Sequence, residues 1–415
     1  MSEATADAQG AQGGEFKRGG GVVLAAAFGI GLGLSPLPFY TLAVFARPLA
    51  QEFGWDFGQI MFSLTIMTLA VFLMGPVVGI AADRFGARRV AIGSVVLFSL
   101  TFAGFALTNG SLPLFYANWA IMAALGAGTL PITWTRGVNS FFVANRGLAL
   151  GLSLMATGLC GFVAPRLAEF LIQTQGWRVA YLAIAALPLL IALPIALLFF
   201  REAGRDGVAA IAAPQYGKTL REAVVDWRFW VLGVAFVPIS LALGGPVPNM
   251  VAIMESKQFD RETAVGLLSF VGLSVIVGRV AGGWLIDRLW APGVAFVMLS
   301  LPAISLLLLS QMDTLPYWLA LSSVILIGVA LGVEYDFMAY MVVRYFGMRA
   351  YAGIYGSLYG FFAMGAGFGP AVFGAVFAHQ GTYDPVLLIA AVLTLIGSAL
   401  LLTLGKYPTF KRDAA

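Results

Sequence analysis

The stretch VLLIAAVLTLIGSALLLTLG, residues 386–405, runs for twenty residues without a charge. That constrains the fold more than anything else in the chain. It is as long as the ~20 apolar residues an α-helix needs to cross a hydrocarbon core. In lipid, only a helix or a closed barrel satisfies every backbone donor and acceptor. Breaking the chain at its charged, glycine- and proline-rich positions gives eleven more such segments. They are 21–45, 57–82, 89–107, 112–135, 147–173, 179–200, 228–253, 263–286, 291–311, 315–343 and 350–378, with the last at 384–405. Only 11% of the residues are charged, against about 25% in a soluble domain. The solvent of this chain is therefore the bilayer, and the fold expected is an all-α membrane protein of twelve transmembrane helices.

With both termini in the cytoplasm, seventeen of the 24 lysines and arginines fall in cytoplasmic segments. That is the positive-inside asymmetry of a multi-pass protein of the cell inner membrane. The net charge of +4 then reflects insertion and gives no reason to expect nucleic acid. One cysteine, Cys160, and one histidine, His379, exclude a disulfide and a thiolate metal cluster. Cys160 is read as packing and His379 as solvated. No nucleophile–base pair, metal spacing or phosphate loop occurs, so neither an enzyme nor a cofactor is expected.

The chain repeats itself. GIAADR at 79–84 recurs as GWLIDR at 283–288, and the same offset of about 204 relates Arg146 to Arg349 and Pro165 to Pro370. Six spans separate the copies, so both halves insert the same way up. The expected organisation is a disordered tail (1–20), a six-helix bundle (21–200), a linker (201–227), a second six-helix bundle (228–405) and a short tail (406–415).

GIAADRFGARR at 79–89 resembles the loop signature between helices two and three of the major facilitator superfamily, with its degenerate copy at 283–288. The resemblance implies the 6+6 major facilitator fold. It also assigns a gating motif to Gly79, Asp83, Arg84, Gly86, Arg88, Gly283, Asp287 and Arg288. Gly79 lets helices approach closely. Asp83 suits the positive N-terminus of a neighbouring helix.

Matched proline pairs, Pro36/Pro38 and Pro246/Pro248, interrupt corresponding helices of the two halves and point to the substrate pathway. Tyr40 and Asn249 follow them as candidate contacts, and Tyr359 adds an aromatic one. Intramembrane charges mark function or its partners. Arg166 and Glu169 share a helix face and are read as a structural pair. Arg136 is read equally as a substrate contact or as an arginine snorkelling to the inner mouth. Glu334 and Asp336, about 200° apart on a helix, are proton-coupling candidates or ion-pair partners. Arg279 lies about 12 Å inside its span and needs a partner from another helix or from the substrate.

Residues 145–182 and GRVAGGWLID at 278–287 resemble the monocarboxylate/organic-anion branch in its bacterial form. That likeness implies a carboxylate held by Arg279. Animal members carry an aspartate where this chain has Val275 and a lysine where it has Tyr40, so coupling would pass to Glu334 or Asp336. The reading is a secondary active transporter of a small organic carboxylate, by proton symport. Its expected partners are the organic anion, a proton and the lipid bilayer, and it is expected to act as a monomer. The alternatives are an exporter or exchanger of drug-like or dicarboxylate compounds, and a nutrient sensor that transports nothing.

Overall fold

The computed structural model describes residues 3–203 and 216–410. The middle of the expected linker, 204–215, and residues 411–415 of the expected tail lie outside the described residues. Among the described residues, ten helices are long and apolar enough to cross a membrane. The first and fourth crossings complete twelve, each divided into two helices. The first consists of Glu3–Gly31 and Leu37–Phe53. The fourth consists of Leu112–Gly126 and Pro131–Phe141, separated by a tight turn at Ala127–Thr129.

Proline explains the divisions. Lacking an N–H, and clashing with the preceding turn, it ends or bends a helix. Pro36 precedes Leu37–Phe53 and Pro131 opens its helix. The seventh crossing is divided in the same way, at Gly245 between Trp227–Gly244 and Pro246–Ser256. Backbone freed by such a break must find a partner inside the protein. The breaks in the first and fourth crossings supply each other: Leu34 N donates to Thr129 Oγ1 at 2.8 Å, and Thr129 Oγ1 donates to Gly126 O at 2.8 Å.

Several boundaries differ from the sequence reading, among them the end of the fourth crossing, at Phe141 and not at 135. Helix extends back to Glu3 where a disordered tail was expected for 1–20. Glu15 shows why the extension is held: its carboxylate accepts from Val143 N and Ala144 N, both at 3.0 Å, and from Asn145 N at 3.1 Å. At the other end the first crossing runs to Phe53 and not to 45, which puts Arg47 on a helix and not in a loop.

The halves meet along two seams related by the internal repeat. One lies between the second crossing, Phe57–Phe85, and the eleventh, Tyr351–Gln380. The other lies between the fifth, Arg146–Gln175, and the eighth, Arg261–Ile286. Glycine makes the contact possible. A Cβ on Gly79 would sit 2.1 Å from Ala352 O, and one on Gly283 would sit 2.4 Å from Gly147 O. The second seam loosens away from the loops. A Cβ on Gly151 would lie 2.4 Å from Arg279 O, whereas one on Gly158 would reach Ile276 only at 3.3 Å and Gly272 O at 3.6 Å. The protein is thus closed at the end that carries the 83–89 and 287–290 loops.

At the far end each half is stapled within itself. Arg178 pairs with Glu52 at 2.7 Å, tying the sixth crossing to the first, and Lys257 pairs with Asp384 at 2.7 Å, tying the seventh to the twelfth. The repeat thus keeps the contact and inverts its polarity.

Adding a side chain at Gly79 should open the first seam without unfolding either half. In Gly79→Val, hydrogen exchange at the Ala352 and Gly353 amides should rise by an order of magnitude or more, while exchange in Ala291–Gln311 stays unchanged. Unaltered exchange at both amides would contradict the close approach.

Candidate functional site

Arg279 is 2% exposed and finds its partner on another helix. Its Nη1 lies 2.6 Å from Asp336 Oδ1, and Asp336 is fully buried in the tenth crossing, Tyr317–Phe346. Close packing of the two helices brings the pair together. A Cβ on Gly278 would meet Val329 O at 2.3 Å, and one on Gly332 would meet Val275 O at 2.3 Å. Arg279 Nη2 also donates to Thr157 Oγ1 of the fifth crossing at 3.2 Å. One guanidinium therefore binds a carboxylate in its own half and a hydroxyl in the other.

Aromatic side chains surround this pair. Tyr335 lies under Arg279, with the guanidinium carbon 5.4 Å from the ring centre. Tyr335 stacks on Tyr359 at 6.0 Å and meets Phe362 edge-on at 4.6 Å. Tyr40 lies within electrostatic reach of Arg279 and is 36% exposed. Its ring covers Gly161, and Cys160, itself buried, is its neighbour. Three buried polar atoms in this cluster have no hydrogen-bond partner: Arg279 Nε, Asp336 Oδ2 and Glu334 Oε1. Since nearly all buried polar atoms are bonded, this concentration marks a site with capacity to spare.

Asn249 is placed elsewhere. Its Nδ2 donates to Gly245 O at 2.9 Å, closing the break in the seventh crossing, and its Oδ1 accepts from Tyr383 at 3.4 Å. Arg136 also lies apart from the central cluster. Its Nε binds Glu202 at 2.9 Å, and its Nη1 makes a close ion pair with Asp83 and reaches Met348 O at 3.5 Å. It serves the loop end, so neither a substrate contact nor snorkelling describes its position.

Asp83 accepts from Gly353 N at 2.7 Å and Ala352 N at 3.2 Å, the first amides of the eleventh crossing in the opposite half. Its repeat partner Asp287 accepts from Gly147 N at 2.7 Å and Leu148 N at 3.0 Å, the first amides of the fifth. Each carboxylate sits at the positive end of a helix dipole, and each joins the two halves. The Asp83 latch adds an ion-paired arginine, Arg136, and a second carboxylate, Glu202, which also accepts from Ala87 N at 3.2 Å. Gly86 has a φ of 95°, which permits the turn between crossings two and three.

Arg84 lies over Phe85, Arg88 donates to Leu197 O at 2.6 Å, and Arg288 stacks on Trp284 at 4.0 Å. Arg166 and Glu169 do not form the expected pair, because each has a nearer partner along its own helix. Arg166 donates to Phe162 O at 2.6 Å, and Glu169 accepts from Gln173 at 2.6 Å. His379 is exposed.

Sequence reasoning missed Thr157 and Glu202. A threonine within an apolar span gives no signal. Glu202 could have been found as the first carboxylate after the sixth crossing.

Residues 24–361 match the Major Facilitator Superfamily profile. Monocarboxylate transporter 13 of Rattus norvegicus is 28% identical over 82% of this chain and 78% of its own length. Its Bos taurus counterpart is 30% identical over 62% of this chain, a match spanning 58% of the bovine protein. The cis,cis-muconate transport protein of Acinetobacter baylyi is 24% identical over 74% and 76% of the two chains. The E. coli fucose:proton symporter FucP superposes with a TM-score of 0.68 at 17% identity, covering 93% of this chain and 98% of its own.

The Asp287 latch should respond to pH. Burial pushes its carboxyl up to about 6, against the pull of the two amides and of Arg146 and Arg288. Tyr340 is the other titratable group facing it. A carboxyl with a raised value holds its proton more tightly when the seam is closed than when it is hydrated. Closure therefore strengthens as pH falls through about 6 and weakens as it rises. Spin labels at Val143 and Leu289, with Cys160→Ala, should show the loop-end-open population shrinking between about pH 8 and about pH 5. The response should vanish in Asp287→Asn; persistence in that variant would place the titrating group elsewhere.

Proposed function

The chain belongs to the Major Facilitator Superfamily, and from that premise we propose that it carries a small organic carboxylate across the cytoplasmic membrane, together with a proton. The Arg279–Asp336 pair carries the reading. It lies where the halves meet, contacts both of them and retains an unused donor, Nε. A guanidinium cannot lose its proton and offers a planar fork that matches a carboxylate. A substrate carboxylate arriving from the far end would displace Asp336 from Arg279.

Charge balance supplies the coupling. A buried ion pair is tolerable because its charges cancel, whereas a second carboxylate would leave one buried charge unmatched, at a cost of several kcal/mol. A proton on Asp336 removes that cost, so one carboxylate and one proton load together. With the loaded site neutral, the latches at the loop end release and the two halves rock to expose it on the other side. The arginine-rich loop end is the cytoplasmic end on the positive-inside pattern, and one 6+6 chain suffices for the cycle. Commitment of Arg136 to Asp83 and Glu202 withdraws the second cation that a dicarboxylate exchanger would need.

Proteoliposome uptake tests both parts. Arg279→Lys keeps the charge and loses the fork, and one charge-assisted bond is worth about 1.5–3 kcal/mol, so affinity should fall on the order of 10- to 150-fold. Methyl esters of good substrates should fail on the wild-type protein. A folded Arg279→Ala protein that binds the acid with native affinity would sink the carboxylate site. Asp336→Asn should lose accumulation driven by a pH gradient while sparing counterflow exchange; retained accumulation would move coupling away from Asp336.

A further inference from the structure

Glu334 takes no part in that exchange. It lies two residues before Asp336 and therefore projects from a different side of the same helix. It is 2% exposed, and its Oε1 has no hydrogen-bond partner. Its surroundings are those of the site: Arg279, Tyr335 and Tyr359 all lie within its electrostatic reach. Yet the one guanidinium there is already matched by Asp336 at 2.6 Å. The cluster thus holds two carboxyl groups and one cation.

A buried carboxylate without a cation is costly, and ionisable groups within membrane spans are retained for a use. A cationic ligand group would supply what Glu334 lacks. The stacked faces of Tyr335 and Tyr359, with Phe362 at their edge, suit a cation and its organic substituent alike.

We propose that the transported carboxylate is zwitterionic: an amino acid or related amino carboxylate whose carboxylate meets Arg279 and whose protonated nitrogen meets Glu334. This rests on the carboxylate reading of Arg279 and adds the second charge of the substrate. Pairing supports it: once Asp336 carries the proton, a zwitterion matches both Arg279 and Glu334, whereas a simple carboxylate matches Arg279 alone and leaves Glu334 without a partner.

The test measures binding of three probes to the purified full-length protein: free phenylalanine, phenylpropanoate, which lacks the amine, and phenethylamine, which lacks the carboxylate. Phenylalanine should bind on the order of tenfold or more tightly than phenylpropanoate, the size expected of one charge-assisted contact. Phenethylamine should bind weakly. In Glu334→Gln the preference for the amine should disappear while phenylpropanoate affinity is kept. Equal or tighter binding of phenylpropanoate by the wild-type protein overturns the inference and leaves the carboxylate reading standing. Retention of the preference in Glu334→Gln overturns it as well. So does loss of proton-driven phenylpropanoate uptake in that variant, which would make Glu334 a proton carrier. Failure of both carboxylates to bind would instead remove the reading on which it rests. Should Glu334→Gln not fold, the wild-type comparison decides, with Glu334→Asp as the second variant. A shorter carboxylate should weaken phenylalanine and spare phenylpropanoate, and equal effects on the two would count against the proposal.

Discussion

A guanidinium buried in an apolar bundle must be neutralised, and the arrangement of the central site follows from how that is done. Arg279 and Asp336 meet at 2.6 Å only because Gly278 and Gly332 let the eighth and tenth crossings touch backbone to backbone. Removing one partner of such a pair costs about 3–5 kcal/mol, because the other is left charged and alone. The pair is therefore costly to break from one side, and on the proposed carboxylate reading a ligand that brings its own carboxylate would replace Asp336 without leaving the arginine bare. Thr157 ties the same guanidinium to the opposite half.

The loop end uses one device twice. Asp83 and Asp287 each close on the first amides of a helix from the other half, and the repeat that relates the sequences relates these contacts too. The symmetry is incomplete in an informative way. Arg136 and Glu202 reinforce the Asp83 latch, whereas Asp287 closes on backbone amides with Arg146 and Arg288 as its nearby cations. The far-end staples show a comparable departure, with Glu52–Arg178 answered by Lys257–Asp384 in inverted polarity. Repeat-related positions thus keep their place in the fold while their charges diverge.

Among the site residues, those whose environment is set by their own helix were legible in the chain. The opposed directions of Glu334 and Asp336 follow from periodicity alone, and Gly79 was legible as a close-approach position from its missing side chain within the 79–89 motif. Arg136 was ambiguous for a physical reason. Its depth along the helix could be counted, but its partners are 53 and 66 residues away, on separate elements. Arg166 and Glu169 mislead in the opposite sense. Their spacing permits a pair, and a local carbonyl and a local glutamine are nearer.

What the sequence determined by itself is the solvent and the scaffold. Apolar runs of membrane length, too few charges for a soluble surface and a repeat at near-constant offset leave a twelve-helix, two-half membrane bundle as the fold, because unpaired backbone and unmatched charge are too costly in lipid. Tertiary structure alone decided which charge meets which. It put Asp336 and not Glu334 on Arg279, sent Arg136 to the loop end, and left Glu334 without a cation. Those outcomes depend on how closely helices from different parts of the chain approach, a distance that no local pattern of residues encodes.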